Sequence, residues 1–182
     1  MAIPTLIKPQ KLNPGDTIGI VSPAGPVYGE KLAYFENGVR YLQDRGYNVK
    51  LGQFAKGRFG YLAGTDQERL DDLLSMFSDT DVKAIFVSRG GFGSARLLDK
   101  VDFDVIRNNP KILMGYSDIT ALHLALLEKC GLISFAGPMV SPEFGNEIDP
   151  VTEKQCWNIL GNSPDRKLEP KEFGHEPYIL NN

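Results

Sequence analysis

The segment KILMGYSDITALH, residues 111 to 123, brings Ser117 to a place where it could do chemistry. It reads as a short buried strand, a sharp turn at Gly115-Tyr116-Ser117-Asp118, and a helix. A serine in such a turn points its hydroxyl outward, where it can serve as a nucleophile. The amides of Asp118 and Ile119 open the helix and point back at the turn, where an amide can donate to an oxyanion forming on a substrate carbonyl. The pattern is Gly115-x-Ser117-x-Ile119, not the G-x-S-x-G of α/β-hydrolases. Spacing alone therefore favours a plainer role, in which Ser117 caps the following helix.

A second set of residues, SRGGFGSAR (88–96), follows another apolar run. Gly90, Gly91 and Gly93 can form a backbone nest for an anion or oxyanion. They equally suit a tight turn that needs positive φ. A dinucleotide loop would require a glycine at position 96, where Arg96 stands. Nor does an acidic residue close a second strand about 20 residues further on. Arg89 offers a cation to a substrate carboxylate, or to an acid in the same sheet. The chain has 2 histidines. His123 lies within the helix after Ser117, where helical geometry is expected to point it away from the turn. His175 falls in a polar, proline-punctuated tail. Neither is placed to take a proton from Ser117.

These residues need elements to hold them, and the 182-residue chain supplies a regular alternation. DTIGIVSPAGP is a strand and loop. EKLAYFENGVRYLQDRG carries Leu32, Phe35, Val39 and Leu42 at helical spacing, with Gly46 as its stop. YNVKLG is a second strand. Thr65 and Glu68 form a capping box opening a helix with Leu70, Leu73, Leu74 and Phe77 on one face. VKAIFVS is an apolar strand, FDVIRNNP a short helix, and KILMG the next strand. DITALHLALLEKCG is apolar almost all round, which predicts a buried helix. LISFAGP is a further strand, and Asp149-Pro150 open a last helix that closes near Gly161. Apolar strands alternating with helices predict an α/β fold, a parallel sheet covered on both faces. In such sheets functional residues gather beyond the strand C-terminal ends. Four of those loops, SPAGP, SRGGFG, GYSD and FAGP, are chemically unusual.

Composition narrows the function classes. Apolar residues make up 42% and charged residues 24%, with a net charge of −3 and no basic block. That lacks the electrostatic footprint of a nucleic-acid binder. No apolar run reaches the roughly 18 residues of a membrane span. The N-terminus lacks the apolar core of a secretory signal. Cys130 and Cys156 form no metal-ligand pattern, and two reduced thiols in a cytoplasmic protein are expected.

Taken together, LNPGDTIGIVSPAGP, the run from FGYLAGTDQERL through RGGFGSARLL to GYSDITALHLAL, and FAGPM resemble the LD-carboxypeptidase family. That family includes muramoyltetrapeptide carboxypeptidases and microcin C self-immunity peptidases. The resemblance spans roughly residues 11 to 140 and lies in the combined order and spacing of the motifs. It implies a flavodoxin-like, three-layer α/β/α domain followed by a smaller β-rich domain, with the site between them. It implies that Ser117 is the nucleophile and that the backbone amides of Asp118 and Gly91 hold the oxyanion. Arg89 becomes a candidate for substrate binding, and no metal or cofactor is expected. The family's base is a histidine oriented by a glutamate, both from the C-terminal domain. Only 65 residues (182 − 117) follow Ser117 here, so those two residues have no matching positions. Neither His175 nor a tail glutamate is given the role.

The expectation is thus a nucleophile-bearing domain over residues 1–161, with 162–182 as a linker or the start of a missing C-terminal domain. The implied reaction is hydrolysis of an L,D-amide in a cytoplasmic murein tetrapeptide, as in peptidoglycan recycling. The chain alone is expected to be nearly inactive. A peptidyl-nucleotide amidase and a non-catalytic peptide-binding relative stay open. Family members are often dimers, so a homodimer is a further expectation, with no nucleic acid or membrane partner.

Overall fold

Five strands form one sheet, and the three central ones, apolar almost throughout, bury both of their faces. In the computed structural model, which describes residues 5–161, the five are β1 (Thr17–Val21), β2 (Asn48–Leu51), β3 (Val82–Val87), β4 (Ile112–Gly115) and β5 (Phe135–Ala136). All pair in parallel, in the order β2-β1-β3-β4-β5. The connections are α1 (Glu30–Asp44), α2 (Asp66–Ser78), α3 (Phe103–Asn108) and α4 (Thr120–Cys130), with α5 (Pro150–Leu160) after β5. The period-2 alternation of strands sorts side chains into two cores. Ile18, Ile20, Ala84, Phe86, Ile112 and Met114 meet Phe35 and Leu42 of α1 and Leu160 of α5. Val21, Ile85, Val87 and Leu113 meet Leu73 and Phe77 of α2, Ile106 of α3, and Leu122 and Leu126 of α4. The result is the three-layer α/β/α sandwich expected.

Local signals are realised where they are strong. Thr65 accepts from the Glu68 amide while the Glu68 carboxylate accepts from the Thr65 amide, the reciprocal capping box. Asp149 accepts from the Thr152 amide, and Pro150 occupies the first turn of α5. Gly46, just past the end of α1, has φ +88°.

Four features differ from the sequence expectation. Helix α4 is not buried all round: Leu124 is 63% and Leu127 44% exposed. An outer-layer helix meets the sheet with one face only, so its remaining leucines face away. LISFAGP supplies only the two residues of β5 to the sheet. β2 is an edge strand whose side chains are half-buried or exposed, not an apolar interior strand. A single π-type turn at Val140–Phe144, unforeseen in the sequence, packs against α1; its Ser141 amide donates to the Ser88 carbonyl at 2.8 Å. The expectations for residues 162–182, His175 among them, lie outside the described residues.

The strand order reverses direction between β1 and β3. In open parallel sheets the crevice beyond the strand C-terminal ends at such a switch point is where ligands bind. The loops there are SPAGP after β1 and SRGGFG after β3, and the turn holding Ser117 follows on the neighbouring β4.

Candidate active site

Ser117 sits where β4 ends and one 3₁₀ turn (Ser117–Ile119) leads into α4. Its φ is +63°, and it is the only non-glycine residue with positive φ among the described residues. A side chain in the left-handed region costs on the order of 1–2 kcal/mol. The strain lifts the hydroxyl out of the chain path, and Ser117 is exposed although Gly115, two residues earlier, is buried. The helix-cap role is not what the structure holds: neither the 3₁₀ turn nor α4 has a side-chain cap.

The glycine loop comes directly against this turn. A Cβ built on Gly90 would lie 3.2 Å from Ser117 Cβ and 3.4 Å from its Oγ. Gly91 and Gly93 have φ of +137° and +121°, which glycine adopts readily. The Gly90 carbonyl accepts from the Gly25 amide at 3.3 Å, joining the loops after β3 and β1. Beneath them the buried hydroxyls of Ser22 and Ser88 are hydrogen-bonded at 2.6 Å, and Ser22 also bonds the Ala55 carbonyl. Among the described residues, the amides of Gly91 and Asp118 donate to no protein acceptor. Exposed Phe92 packs against Tyr61 at 5.9 Å between ring centroids, forming an apolar rim beside the glycines.

Arg89 folds over the β1–α1 loop, with Nη1 3.4 Å from the Pro26 carbonyl. Among the described residues it makes no ion pair, so its guanidinium charge is not matched by an acid of the sheet.

His123 is placed differently from expectation. It does not point away from the turn. Helical side chains lean toward the helix N-terminus, and this brings its ring back to the base of the turn. Nε2 lies 2.8 Å from the Gly115 carbonyl, and Nδ1 lies 2.7 Å from Ser134 Oγ. A carbonyl can only accept, so Nε2 carries the proton and Nδ1 accepts from the Ser134 hydroxyl. Burial draws the His123 pKa below its ordinary value, opposed by the bond to Gly115. Both ring nitrogens are engaged, and neither is bonded to Ser117.

Two contacts of the site were missed in the sequence. The Tyr116 hydroxyl donates to Glu143 Oε1 at 2.7 Å, and Glu143 Oε2 accepts from the Met139 amide at 2.8 Å. The carboxylate bond and then burial push the Tyr116 pKa up to about 12. The Asp118 carboxylate accepts from the Ser94 amide at 2.8 Å, and the Ser94 hydroxyl donates to the Asp118 carbonyl at 2.6 Å. Only the unusual loop composition hinted at either.

Cys130 and Cys156 are free and buried, in the cores on opposite faces of the sheet. No helix of the described residues is long and apolar enough to cross a membrane.

A doubly wound parallel domain with a strained serine turn beside a glycine loop defines a class of α/β domain that can present a nucleophile. The chain belongs to the LD-carboxypeptidase family: its residues 18–137 match the model of the LD-carboxypeptidase N-terminal domain. It is 46% identical over 167 residues to the probable murein peptide carboxypeptidase of Bacillus subtilis, covering 90% of this chain and 51% of that protein. It is 38% identical over 166 residues to the microcin C7 self-immunity protein MccF of Escherichia coli, covering 91% and 46%. A solved structure of MccF in complex with glutamyl sulfamoyl guanosine superposes with a TM-score of 0.81 at 34% identity, covering 86% of this chain and 48% of that one. The chain therefore spans about half the length of the curated relatives it matches.

Proposed function

We propose that this chain carries the nucleophile of a serine-type LD-carboxypeptidase acting on murein peptides. The observation that carries the proposal is the strained, exposed Ser117 at the end of β4, set against the Gly90 loop. Ser117 Oγ attacks the carbonyl carbon of an amide between an L-centre and a D-amino acid. Its proton passes to a histidine base, and the tetrahedral oxyanion takes hydrogen bonds from the Gly91 and Asp118 amides. The base returns the proton to the leaving amine, and water then releases the acyl group from Ser117. Arg89 is the candidate partner for the substrate carboxylate.

The base and its orienting glutamate are assigned to the part of the relatives that this chain does not span. A serine without its base is a weak nucleophile. The isolated chain is therefore nearly inactive, and only the oxyanion donors supply residual acceleration.

The similarity to MccF supports a second substrate class, a peptidyl-nucleotide amide cleaved by the same serine. The test uses the full-length protein on a murein tetrapeptide and on a peptidyl-nucleotide. Release of the D-amino acid, abolished in Ser117→Ala, is expected. Cleavage of the nucleotide conjugate alone would select the amidase. Binding without cleavage of either would make the protein a peptide-binding relative, and full activity of Ser117→Ala would refute the nucleophile.

A further inference from the structure

Arg69 has no part in the chemistry described so far, yet it is 1% exposed and is the largest fully buried side chain. Its guanidinium joins three loops. Nε donates to the Gly64 carbonyl at 3.2 Å, and Nη1 donates to the Gly93 carbonyl at 2.9 Å and to the Pro23 carbonyl. Nη2 donates to Asp66 Oδ1 at 2.6 Å. Pro23, Gly64 and Gly93 lie in the loops after β1, β2 and β3. Burying a cation is costly unless its donors are satisfied, and an apolar replacement is often at least as stable. Stability alone is thus a weak reason for Arg69. Its planar fork does what a single ammonium cannot, holding several acceptors in fixed directions at once.

The connection continues into the candidate oxyanion site. Ser94 follows Gly93, is fully buried, and makes both of the hydrogen bonds to Asp118 described above. A path of hydrogen bonds and two covalent neighbours thus runs from Arg69 through Gly93 and Ser94 to Asp118. On the other side of Gly91, the Gly90 carbonyl is held by the Gly25 amide, in the loop whose Pro23 carbonyl also binds Arg69. Gly91 lies between two anchored points, and Asp118 is tied to one of them.

We infer that Arg69 and Ser94 are positioning residues that together set the separation of the Gly91 and Asp118 amides. The inference rests on the role proposed above for those amides. An oxyanion donor works at about 2.7–3.1 Å from the developing charge, so a small drift of the RGG loop weakens the transition state more than it weakens substrate binding.

The test compares full-length wild type with Ser94→Ala, Arg69→Lys and the double variant. It measures kcat and KM per folded site on the cleaved peptide, and hydrogen exchange at the residue-94 and Gly25 amides, the two that hold the loop. In Ser94→Ala, kcat falls about tenfold with KM within about twofold, since the lost interaction acts on the transition state. In Arg69→Lys, kcat falls about tenfold or more. The double variant loses less than the product of the two, because the residues act on one loop. Exchange of the residue-94 amide, which donates to Asp118, and of the Gly25 amide, which donates to the Gly90 carbonyl, rises about tenfold or more in each, while β3 stays protected. Unchanged kcat, unchanged loop exchange, or a loss confined to KM overturns the inference. Ser94→Ala keeps every Arg69 contact, so it decides the matter if Arg69→Lys does not fold. Hydrolysis persisting in Ser117→Ala would refute the nucleophile itself and leave the exchange result to judge the brace.

Discussion

Gly90 faces Ser117 so closely that a Cβ built on it would lie 3.2 Å from Ser117 Cβ and 3.4 Å from its Oγ. Two residues 27 positions apart (117 − 90) thus share one small space, which lets the strand-end loop of β3 reach the strand-end turn of β4. Gly90→Ala should push the serine by a few tenths of an ångström. Overpacking costs about 1–3 kcal/mol and outweighs the roughly 0.4–1 kcal/mol gained from a stiffer unfolded chain. The expected result is a net loss of about 1 kcal/mol with kcat/KM down about tenfold or more. Denaturant melts and steady-state rates measure the two effects, and wild-type rates in Gly90→Ala would contradict the contact's importance.

Ser117 holds a backbone conformation that its side chain disfavours. Ser117→Gly should remove that strain while adding the entropy cost of glycine. The two nearly cancel, leaving stability unchanged or raised by up to about 1 kcal/mol. Hydrolysis should vanish in the same protein. A Ser117→Gly variant destabilised by more than about 1 kcal/mol would show that the turn is not strained.

His123 contributes to pH-dependent stability. Its folded pKa lies below the ordinary value, so the unfolded chain binds a proton that the folded chain resists. Its contribution is therefore present above the ordinary histidine pKa and is lost as pH falls toward the folded value. Melting temperature should drop between about pH 7 and pH 5, and the His123 share of that drop should disappear in His123→Gln. The catalytic base is assigned elsewhere, so the acidic limb of the pH–rate profile, which reports the base, should survive this substitution. Loss of that limb would make His123 the base.

Glu143 anchors the outside of the turn through Tyr116 and the Met139 amide. Glu143→Ala removes both bonds, whereas Tyr116→Phe removes one and leaves Met139 satisfied. The first should cost about 1–2 kcal/mol and the second about 0.5–1 kcal/mol. Equal losses in chemical denaturation would indicate that the Met139 bond contributes nothing.

Thr65→Ala breaks the capping box of α2 and should cost about 1 kcal/mol. Arg69 sits in the same helix, so loosening its first turn should also raise exchange of the Ser94 amide, which donates to Asp118. Unaltered exchange there would separate the cap from the brace.

The amino-acid order determined what depends on near neighbours. The alternation of apolar runs and helical spacing set the element order, and with it the parallel sheet. Thr65 and Glu68 announced their own capping box, because both of its hydrogen bonds span only three residues. Ser117 was legible as a residue in a strand-to-helix turn that a nucleophile role would strain, but the choice between that role and a helix cap was not, since a φ of +63° leaves no mark on its own residue type. Tertiary structure decided the rest. The approach of Gly90 to Ser117, the three loops on Arg69 and the Tyr116–Glu143 bond join segments that share no local pattern. The way His123 turns back to Gly115 followed from where the sheet placed β4 relative to α4. The exposed Leu124 and Leu127 show the same division from the other side. Hydrophobicity made α4 a helix to be buried, but only the layer it joined determined which face was covered.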